Sequence, residues 1–408
     1  MKKDKILIAL FRLPYPLTDG TRFKVFDNVI QGLTNVYDLE FLITTYDAVS
    51  AEDIDYIERY YGKVHLFRKS KVGFFRDALR ALYSSIPFQV AGYFNKKAFS
   101  WIRNNIHLYK AVYVHEIRMT EYFIRLSDTL RSICVVDFND ALSLHYIQAS
   151  KKTFFPKSFM YRIEGKRVGK YESKVMRLFT YFNVASSRDR EFLLEKSKMD
   201  AAHITFTAIP HGVHIPTDRA SLTEGKNIFF IGNLDYAPNR DALRYFLTTF
   251  WEILKNRIPG VYFHIIGKGK PIESSLSDRR VRYHGFIQDL SSILTQMSLL
   301  VAPIRYGAGT PSKIIDAMAY GIPVLTTPIG AEGISGILYD QEIIVCSLED
   351  KDEWINSIER IVSDKEHREK IGLRARSFIS SHYSSHASQT AFRELFEKII
   401  ATKHTSSH

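Results

Sequence analysis

The sequence pattern that most constrains the fold is a series of short apolar runs, each followed by a segment with helical periodicity. In the first half of the chain these runs lie at 5–11, 39–45, 63–67, 111–115, 133–138 and 183–186. They are mostly continuous rather than alternating, which is typical of a parallel sheet covered by helices on both faces. The pattern therefore predicts a doubly wound α/β domain.

The same pattern starts again near residue 227. Further runs follow at 227–232, 261–267, 281–284, 299–303, 323–327 and 342–346. We therefore predict two doubly wound, Rossmann-like domains that face each other across a cleft. Two domains of ordinary size account for 408 residues. The predicted division is 1–215 for the first domain and 216–385 for the second. A C-terminal helix and tail, 386–408, are expected to pack back on the first domain.

Cysteine usage and hydropathy indicate the cellular compartment. Cys134 and Cys346 both stand in apolar runs, so they are predicted to be buried thiols rather than a disulfide or a metal pair. No apolar stretch approaches the 18 or so residues of a membrane span. We expect a cytoplasmic protein, or one that lies on a membrane without crossing it.

The segment 303–333 carries the densest set of ligand-binding signals. A strand is predicted to end at Pro303, a loop carries Gly307 and Gly309, and a helix starts near Thr310. Backbone amides at a glycine-bearing loop and at a helix N-terminus attract phosphate. The segment therefore indicates a phosphate site that follows a strand, where ligands bind in such folds.

Charged side chains flank this loop. Arg305 and Lys313 stand on either side of it and can add charge-assisted contacts to a phosphate. Asp316, one turn into the helix, can accept hydrogen bonds from ribose hydroxyls. The alternative is a glycine loop with ordinary surface charges, and the residues of this segment alone do not choose between the two.

The segment resembles the donor-binding region of retaining glycosyltransferases with the GT-B fold, specifically glycosyltransferase family 4. Members commonly show Gly-Xaa-Gly-Thr-Xaa-Xaa-Lys followed by Glu-Ala-Met-Ala-Xaa-Gly-Xaa-Pro-Val. The positions that match in order are Gly307, Gly309, Thr310, Lys313, Ala317, Met318, Ala319, Gly321, Pro323 and Val324. Further similar segments lie at 14–22, 209–213, 230–239, 266–267 and 284–287, so the resemblance covers most of the chain.

The resemblance implies a set of residues that bind a nucleotide-sugar donor. It implies that the loop at Gly20 closes over the diphosphate, and that the base lies near Phe286. The other implied donor contacts are Gly232, Asn233, Lys268, Arg305, Gly307, Gly309, Thr310, Lys313 and Asp316. One departure concerns the family's pair of glutamates eight positions apart. The second matches Asp316, but Ala308 stands at the first position, so the first acid is absent.

Two residues of the first domain are candidates for catalysis. His115 ends a strand where family members often place a histidine near the transferred sugar, and a histidine with a structural partner is the alternative. Asp137 and Asp140 follow the next strand, and we favour Asp140 as the group that receives the acceptor proton. Solvated loop carboxylates are the alternative there. Asp316 completes the catalytic set.

The sequence predicts no metal site and no cofactor. The single Asp-Xaa-Asp, Asp53 to Asp55, lies in a helical context and follows no strand, so it is not expected to bind a metal. Without a metal, Arg305, Lys313 and backbone amides must stabilise the leaving diphosphate.

Net charge points to an anionic partner. The chain has 56 Lys and Arg against 44 Asp and Glu, a net charge of +12. The excess is concentrated in two aromatic-rich segments of the first domain, 63–110 and 151–177. This mixture is typical of a surface that contacts anionic lipid, although a solvated basic face over an aromatic core would look similar. Nucleic acid is the alternative partner, but no nucleic-acid-binding module is recognisable.

The resemblance, taken with these features, implies a retaining glycosyltransferase of the hexosyltransferase type. It would move a sugar from a nucleotide diphosphate to the hydroxyl of a glycan or lipid-linked acceptor, in the synthesis of a bacterial surface polysaccharide or lipid-linked glycan. We expect it in the cytoplasm, bound peripherally to the inner face of the membrane through its first domain. A nucleotide-sugar epimerase on the same fold is the alternative enzyme, and a basic nucleic-acid-binding protein is the alternative outside enzymes.

Overall fold

The computed structural model describes residues 3–17, 22, 25–152, 155–220, 225–287, 289–306 and 312–405. The chain divides into two compact units. The first comprises Met1–Gly212 and Ser388–His408, and the second comprises Val213–Ala387. These boundaries lie within three residues of 215/216 and 385/386, the divisions proposed from the sequence.

The first unit is built on a seven-stranded parallel sheet with the strand order β3-β2-β1-β4-β5-β6-β7. Its strands are β1 Lys5–Leu10, β2 Asp38–Thr45, β3 Gly62–Arg68, β4 Ala111–His115, β5 Cys134–Asp137, β6 Tyr181–Val184 and β7 Thr205–Ala208. Ile6 pairs with Leu39 on one side and with Ala111 on the other. The central strands are buried on both faces, as their continuous apolar sequences predict.

Helices cover both faces of this sheet. They are α1 Gln31–Thr34, α2 Ala51–Tyr60, α3 Lys71–Arg80, α4 Phe88–Tyr93, α5 Lys96–Asn105, α6 Glu116–Ile124, α7 Asp128–Arg131, α8 Leu142–Lys152, α9 Lys157–Met176 and α10 Ser187–Ser197. A π-helical turn, Val25–Ile30, precedes α1. Serine caps fix several helix starts; the Ser50 and Ser70 hydroxyls accept from the backbone amides of Asp53 and Gly73.

The second unit is built on a six-stranded parallel sheet with the order β10-β9-β8-β11-β12-β13. Its strands are β8 Asn227–Ile231, β9 Tyr262–Ile266, β10 Val281–Gly285, β11 Leu299–Ala302, β12 Val324–Thr326 and β13 Ile344–Val345. Its helices are α11 Ala237–Phe246, α12 Glu252–Arg257, α13 Ser291–Leu294, α14 Ser312–Ala319, α15 Pro328–Ala331, α16 Lys351–Ser363 and α17 Lys365–His382. The order places the ends of β10, β9, β8 and β11 side by side.

The last helix, α18 Ser385–Thr405, carries an apolar stripe that belongs to the core of the first unit. Phe392, Leu395, Phe396 and Ile399 are buried in one cluster with residues of β1, β2 and β4. Ser388 adds a polar anchor, because its hydroxyl donates to the carbonyl of Pro210 (2.8 Å).

The structure confirms the predicted α/β class, with two doubly wound parallel sheets. Cys134 and Cys346 are free, buried thiols, and burial raises the pKa of Cys346 to about 11. Among the described helices, none has the length and apolar content needed to cross a bilayer.

Candidate functional site

Three glycines bring three loops of the second unit together where their strands end. Gly232 and Gly267 directly follow β8 and β9, and Gly285 is the last residue of β10. The Gly267 amide donates to the carbonyl of Gly285 (2.7 Å), and the Gly232 amide donates to the carbonyl of Ile266 (2.9 Å). Gly267 has φ +136°, and a Cβ there would lie 2.0 Å from the Gly232 oxygen. Only glycine allows this approach.

Asn233, Lys268 and Phe286 stand on these three loops. The Leu234 amide donates to the carbonyl of Lys268 (2.8 Å), which links the first two loops. The Asn233 side-chain oxygen accepts from the amide of Asp235 (3.0 Å), and the side chain of Lys268 is exposed. Phe286 is 75% exposed. An exposed aromatic ring can stack on a nucleotide base, so these strand ends suit the predicted donor contacts.

Lys313, in the first turn of α14, reaches towards the start of α11. Its Nζ donates to the side-chain oxygen of Asn239 and lies 5.2 Å from the centre of the Phe230 ring. The Asn239 amide in turn donates to the carbonyl of Asn233 (3.0 Å). A Cβ at position 232 would lie 2.6 Å from the Asn239 amide nitrogen, so Gly232 makes room for this side chain.

The environment of Lys313 disfavours its positive charge. Burial lowers the pKa of Lys313 to about 8. Its hydrogen-bond partner is a neutral amide, so this bond does not neutralise the ammonium. A partly buried cation beside glycine-bearing loops is suited to bind an anion, because an opposite charge stabilises the ammonium form.

Arg305 follows β11 and is bound to a carboxylate in this structure. Its Nε and a terminal nitrogen donate to the two oxygens of Asp241 (2.8 and 2.5 Å), and the guanidinium lies 5.0 Å from the centre of the Tyr245 ring. The neighbouring carboxylate raises the pKa of Arg305. The sequence predicted Arg305 as a diphosphate contact and did not identify Asp241 as its partner.

Asp316 lies one turn after Lys313 on α14 and is half-buried. It stands near Tyr320, whose pKa is raised by burial and by the negative charges of Asp289 and Asp316. Four other predicted donor contacts, Gly20, Gly307, Gly309 and Thr310, lie outside the described residues.

In the first unit, His115 belongs to a buried polar network. The Tyr113 hydroxyl donates to Asp137 Oδ2 (2.5 Å) and lies 3.2 Å from His115 Nδ1. On the other side of the ring, His115 Nε2 lies 3.5 Å from Glu116 Oε1, and Glu116 also pairs with Arg118. Burial, together with Arg118 and Arg12, lowers the pKa of His115 to about 3. The imidazole is therefore neutral at physiological pH.

His115 also lines a small cavity at the ends of β1 and β4. The other lining residues are Leu10, Arg12, Pro14, Arg22 and Val25. Arg12 and Arg118 each lie 4.6 Å from the centre of the Phe11 ring, on which the His115 ring stacks (5.5 Å, 1°). Arg12, Arg22 and a neutral histidine therefore line this cavity, whose volume of about 10 Å³ is close to the least that one water molecule needs.

The two carboxylates after β5 differ in accessibility. Asp137 is buried and accepts from Tyr113, from the Asn139 amide (3.1 Å) and from the Asn183 side chain (3.1 Å). Burial raises its pKa. Asp140 is exposed and accepts from the Asn139 side chain (3.1 Å). Asp137 is thus a structural centre of the network, and Asp140 is the carboxylate that a ligand can reach.

The side chains that could bind a metal ion are those of His, Cys, Asp and Glu. Within the described part of the chain, no three of them are grouped so that they could hold a metal ion. The Asp-Xaa-Asp aspartates lie on α2, where the Asp53 backbone amide donates to the Ser50 hydroxyl (3.0 Å).

Comparison with known proteins identifies the second unit. Residues 225–364 match the sequence profile of the family described as "Glycosyl transferases group 1". They form a group 1 glycosyl transferase domain. All of the strand ends described above for the second unit lie within this glycosyl transferase domain.

Similarity to known proteins extends over the rest of the chain. A 44.6 kDa protein of the Klebsiella pneumoniae cps region is 24% identical over 420 residues, which cover 97% of this chain and 99% of that protein. Anabaena HepE, solved in complex with UDP, superposes with a TM-score of 0.61 at 13% identity over 97% of this chain and all of HepE. The lipopolysaccharide outer core galactosyltransferase WaaB, in its apo form, superposes with a TM-score of 0.63 at 14% identity over 98% of this chain and 99% of WaaB.

These comparisons confirm the predicted glycosyltransferase class and the GT-B fold. Sequence reasoning missed five residues that shape the two sites: Arg12, Tyr113, Arg118, Asn239 and Asp241. Arg12 closely follows β1, and Asn239 and Asp241 stand in the first turns of the helix after β8. Their positions after strands were the available signal.

Proposed function

We propose that this chain is a retaining glycosyltransferase of the family 4 type that uses a nucleotide diphosphate sugar as donor. The observation that carries the proposal is Lys313, a partly buried cation that is bonded to a neutral amide at the strand ends of the glycosyl transferase domain. Its position suits a diphosphate, and the complex of HepE with UDP supports a nucleotide donor.

In this proposal the second unit binds the donor. Phe286 stacks on the base, Asp316 accepts from the ribose, and Lys313 with Lys268 and Arg305 neutralises the diphosphate. Backbone amides supply the remaining contacts, so the reaction needs neither a metal nor a cofactor. The further donor contacts that we propose are Gly20, Gly232, Asn233, Gly307, Gly309 and Thr310.

The first unit binds the acceptor in this proposal. Neutral His115 hydrogen-bonds to the transferred sugar, and Asp140 receives the proton of the acceptor hydroxyl. Asp137 and Tyr113 act as positioning residues, because the Tyr113 hydroxyl donates to Asp137 and lies beside His115 Nδ1. The cps-region relative and the fold shared with WaaB support a role in bacterial surface polysaccharide or lipid-linked glycan synthesis.

We further propose that the first unit contacts the inner face of the cell membrane. Val72, Phe75 and Leu79 form an exposed stripe on α3, at spacings of three and four residues, and Val72 is 78% exposed. Arg76 and Arg80 extend from the same helix and are also largely exposed. Apolar residues flanked by cations suit the surface of an anionic bilayer.

Retention is tested by the configuration of the sugar that the protein releases from its donor. We expect slow hydrolysis of an α-linked donor, and ¹H NMR recorded early should detect the α-anomer before mutarotation. The β-anomer as first product would show inversion and would contradict the proposal. Conversion of the donor to an epimeric nucleotide-sugar without release of a sugar would favour the epimerase.

A further inference from the structure

A basic groove in the first unit takes no part in the proposed chemistry. It has a volume of about 780 Å³ and is lined by α8, α9 and α10. Sites for small molecules typically have volumes of about 300–1,000 Å³. Six lining residues are cations: Lys151, Arg162, Lys166, Lys170, Arg177 and Lys196. Among the described residues that line the groove, none is acidic.

Three of these cations form a row on one helix. Arg162, Lys166 and Lys170 are exposed and follow one another at intervals of four residues on α9. Like charges at this spacing repel each other and weaken a helix. Within the described chain, no carboxylate forms an ion pair with any of the three, whereas Arg167 on the same helix pairs with Glu164 (3.8 Å). An anion in the groove would relieve the repulsion.

The floor of the groove is built to hold a fourth cation. Lys196 donates to the hydroxyl of Ser143 (2.7 Å). A Cβ at position 169 would lie 2.1 Å from Lys196 Nζ, so Gly169 is what lets the lysine cross α9. Glu172 lies buried below and accepts from the Ser143 amide (3.0 Å). Burial lowers the pKa of Lys196, and a bound anion would favour its charged form.

Exposed apolar side chains adjoin the row of cations. Phe159, Met160 and Ile163 are exposed on the first turns of α9, and Phe155, just before the helix, is 82% exposed. Ile163 directly follows Arg162, so the apolar and the cationic residues meet on the same helix. A ligand that carries both a hydrocarbon chain and phosphate would cover both surfaces, which a free phosphate cannot do.

We propose that this groove binds the phosphate groups of an anionic lipid whose hydrocarbon chains contact the exposed apolar residues at the start of α9. The proposal rests on the membrane contact proposed above and adds a site of defined chemistry to it. Arg162, Lys166 and Lys170 bind the phosphate oxygens by charge-assisted hydrogen bonds, and Lys196 closes the groove from below.

Vesicle binding by three forms of the full-length chain tests the groove. They are the wild type, the groove variant Arg162→Ala/Lys166→Ala/Lys170→Ala, and the control variant Lys96→Ala/Lys97→Ala/Arg103→Ala. The control removes the same number of exposed cations from α5 in the same unit. Each is titrated with phosphatidylcholine vesicles that contain or lack phosphatidic acid, and separately with soluble pyrophosphate. A single Lys166→Gln variant is measured beside them, since it perturbs the helix least.

The groove variant should bind phosphatidic acid vesicles about 100-fold more weakly than the wild type, because each cation at an anionic surface contributes about fivefold. The affinity of the control variant for these vesicles should fall far less, and that of Lys166→Gln should fall about fivefold. Equal binding by the groove variant and the wild type, or an equal loss in the control, would overturn the proposal. So would binding of pyrophosphate without binding of lipid.

The same preparations separate this proposal from the glycosyltransferase proposal. The melting temperature of the groove variant should not fall, because the substitutions remove repulsion between like charges. Its donor-dependent thermal shift should equal that of the wild type. Loss of lipid binding with intact donor binding supports the groove. Donor binding without any vesicle binding by the wild type overturns the lipid site and leaves the donor site standing.

Discussion

The lowered pKa of Lys313 makes donor binding depend on pH in a direction that can be worked out. Diphosphate binds the ammonium form, and its negative charge raises the pKa of Lys313 again. Affinity should therefore be full below the free-state value of about 8 and fall as the pH rises through it. With that value, the protonated fraction falls from about nine-tenths at pH 7 to about one-tenth at pH 9, so affinity should fall about tenfold, or about 1.4 kcal/mol.

Isothermal titration at constant ionic strength checks this prediction, with a nucleotide-sugar whose diphosphate stays fully ionised over the range. Lys313→Arg supplies the matched control, because arginine keeps its charge at pH 9. The donor affinity of Lys313→Arg should not change between pH 7 and 9. The affinity of Lys313→Ala for the donor should also be independent of pH, and it should be at least tenfold weaker than that of the wild type. A hydrogen bond to a charged group contributes about 1.5–3 kcal/mol. A flat wild-type profile, or the same slope in Lys313→Arg, would refute the assignment.

Three further substitutions test other parts of the sites. Gly267→Ala should lower the melting temperature by several degrees more than Gly336→Ala. Both glycines have positive φ, but only at position 267 would a Cβ lie against another backbone segment. Thermal unfolding measures the difference, and equal falls in melting temperature would exclude the close approach as the cause. Asp241→Asn should tighten donor binding a few-fold, because it releases Arg305 from its ion pair. If isothermal titration shows weaker donor binding instead, Asp241 is a residue that positions Arg305. His115→Ala should reduce transfer at least 10²-fold and weaken donor binding much less, because the bond to the sugar is one of many donor contacts. The wild-type rate should not follow a histidine titration between pH 5 and 8, because the pKa of His115 is about 3; a rate that titrates there would contradict a neutral His115.

Most of the fold follows from short-range sequence pattern. Continuous apolar runs predict the central strands because both faces of those strands are buried. β7, Thr205–Ala208, was not predicted, since it alternates polar and apolar residues and lies half-buried at the edge of the first sheet. The π-helical turn Val25–Ile30 lies between the first two predicted strands, where the sequence pattern indicates helical periodicity without distinguishing a π-helix from an α-helix. Local pattern thus identifies buried elements better than edges and irregular turns.

The sites are only partly predictable because partners are chosen by tertiary structure. Arg305 and Asp241 are 64 residues apart, and a guanidinium attracts phosphate and carboxylate alike, so its charge alone does not reveal the partner. The burial of Lys313 likewise depends on Asn239, which a different helix supplies. Tyr113 could have been identified as a partner of His115, since residues two apart on a strand point to the same face.

The central claim, that the second unit binds a nucleotide-sugar at its strand ends, is tested most directly by hydrogen–deuterium exchange. UDP-, GDP-, ADP- and dTDP-sugars are first ranked by thermal shift, and the most stabilising one is added to the wild type and to Lys313→Ala. We predict slower exchange at residues 232–240, 267–270 and 285–287 in the wild type and little change in the variant, with Lys351→Ala behaving as wild type. Stabilisation by none of the sugars, or slower exchange confined to other segments, would contradict the donor site.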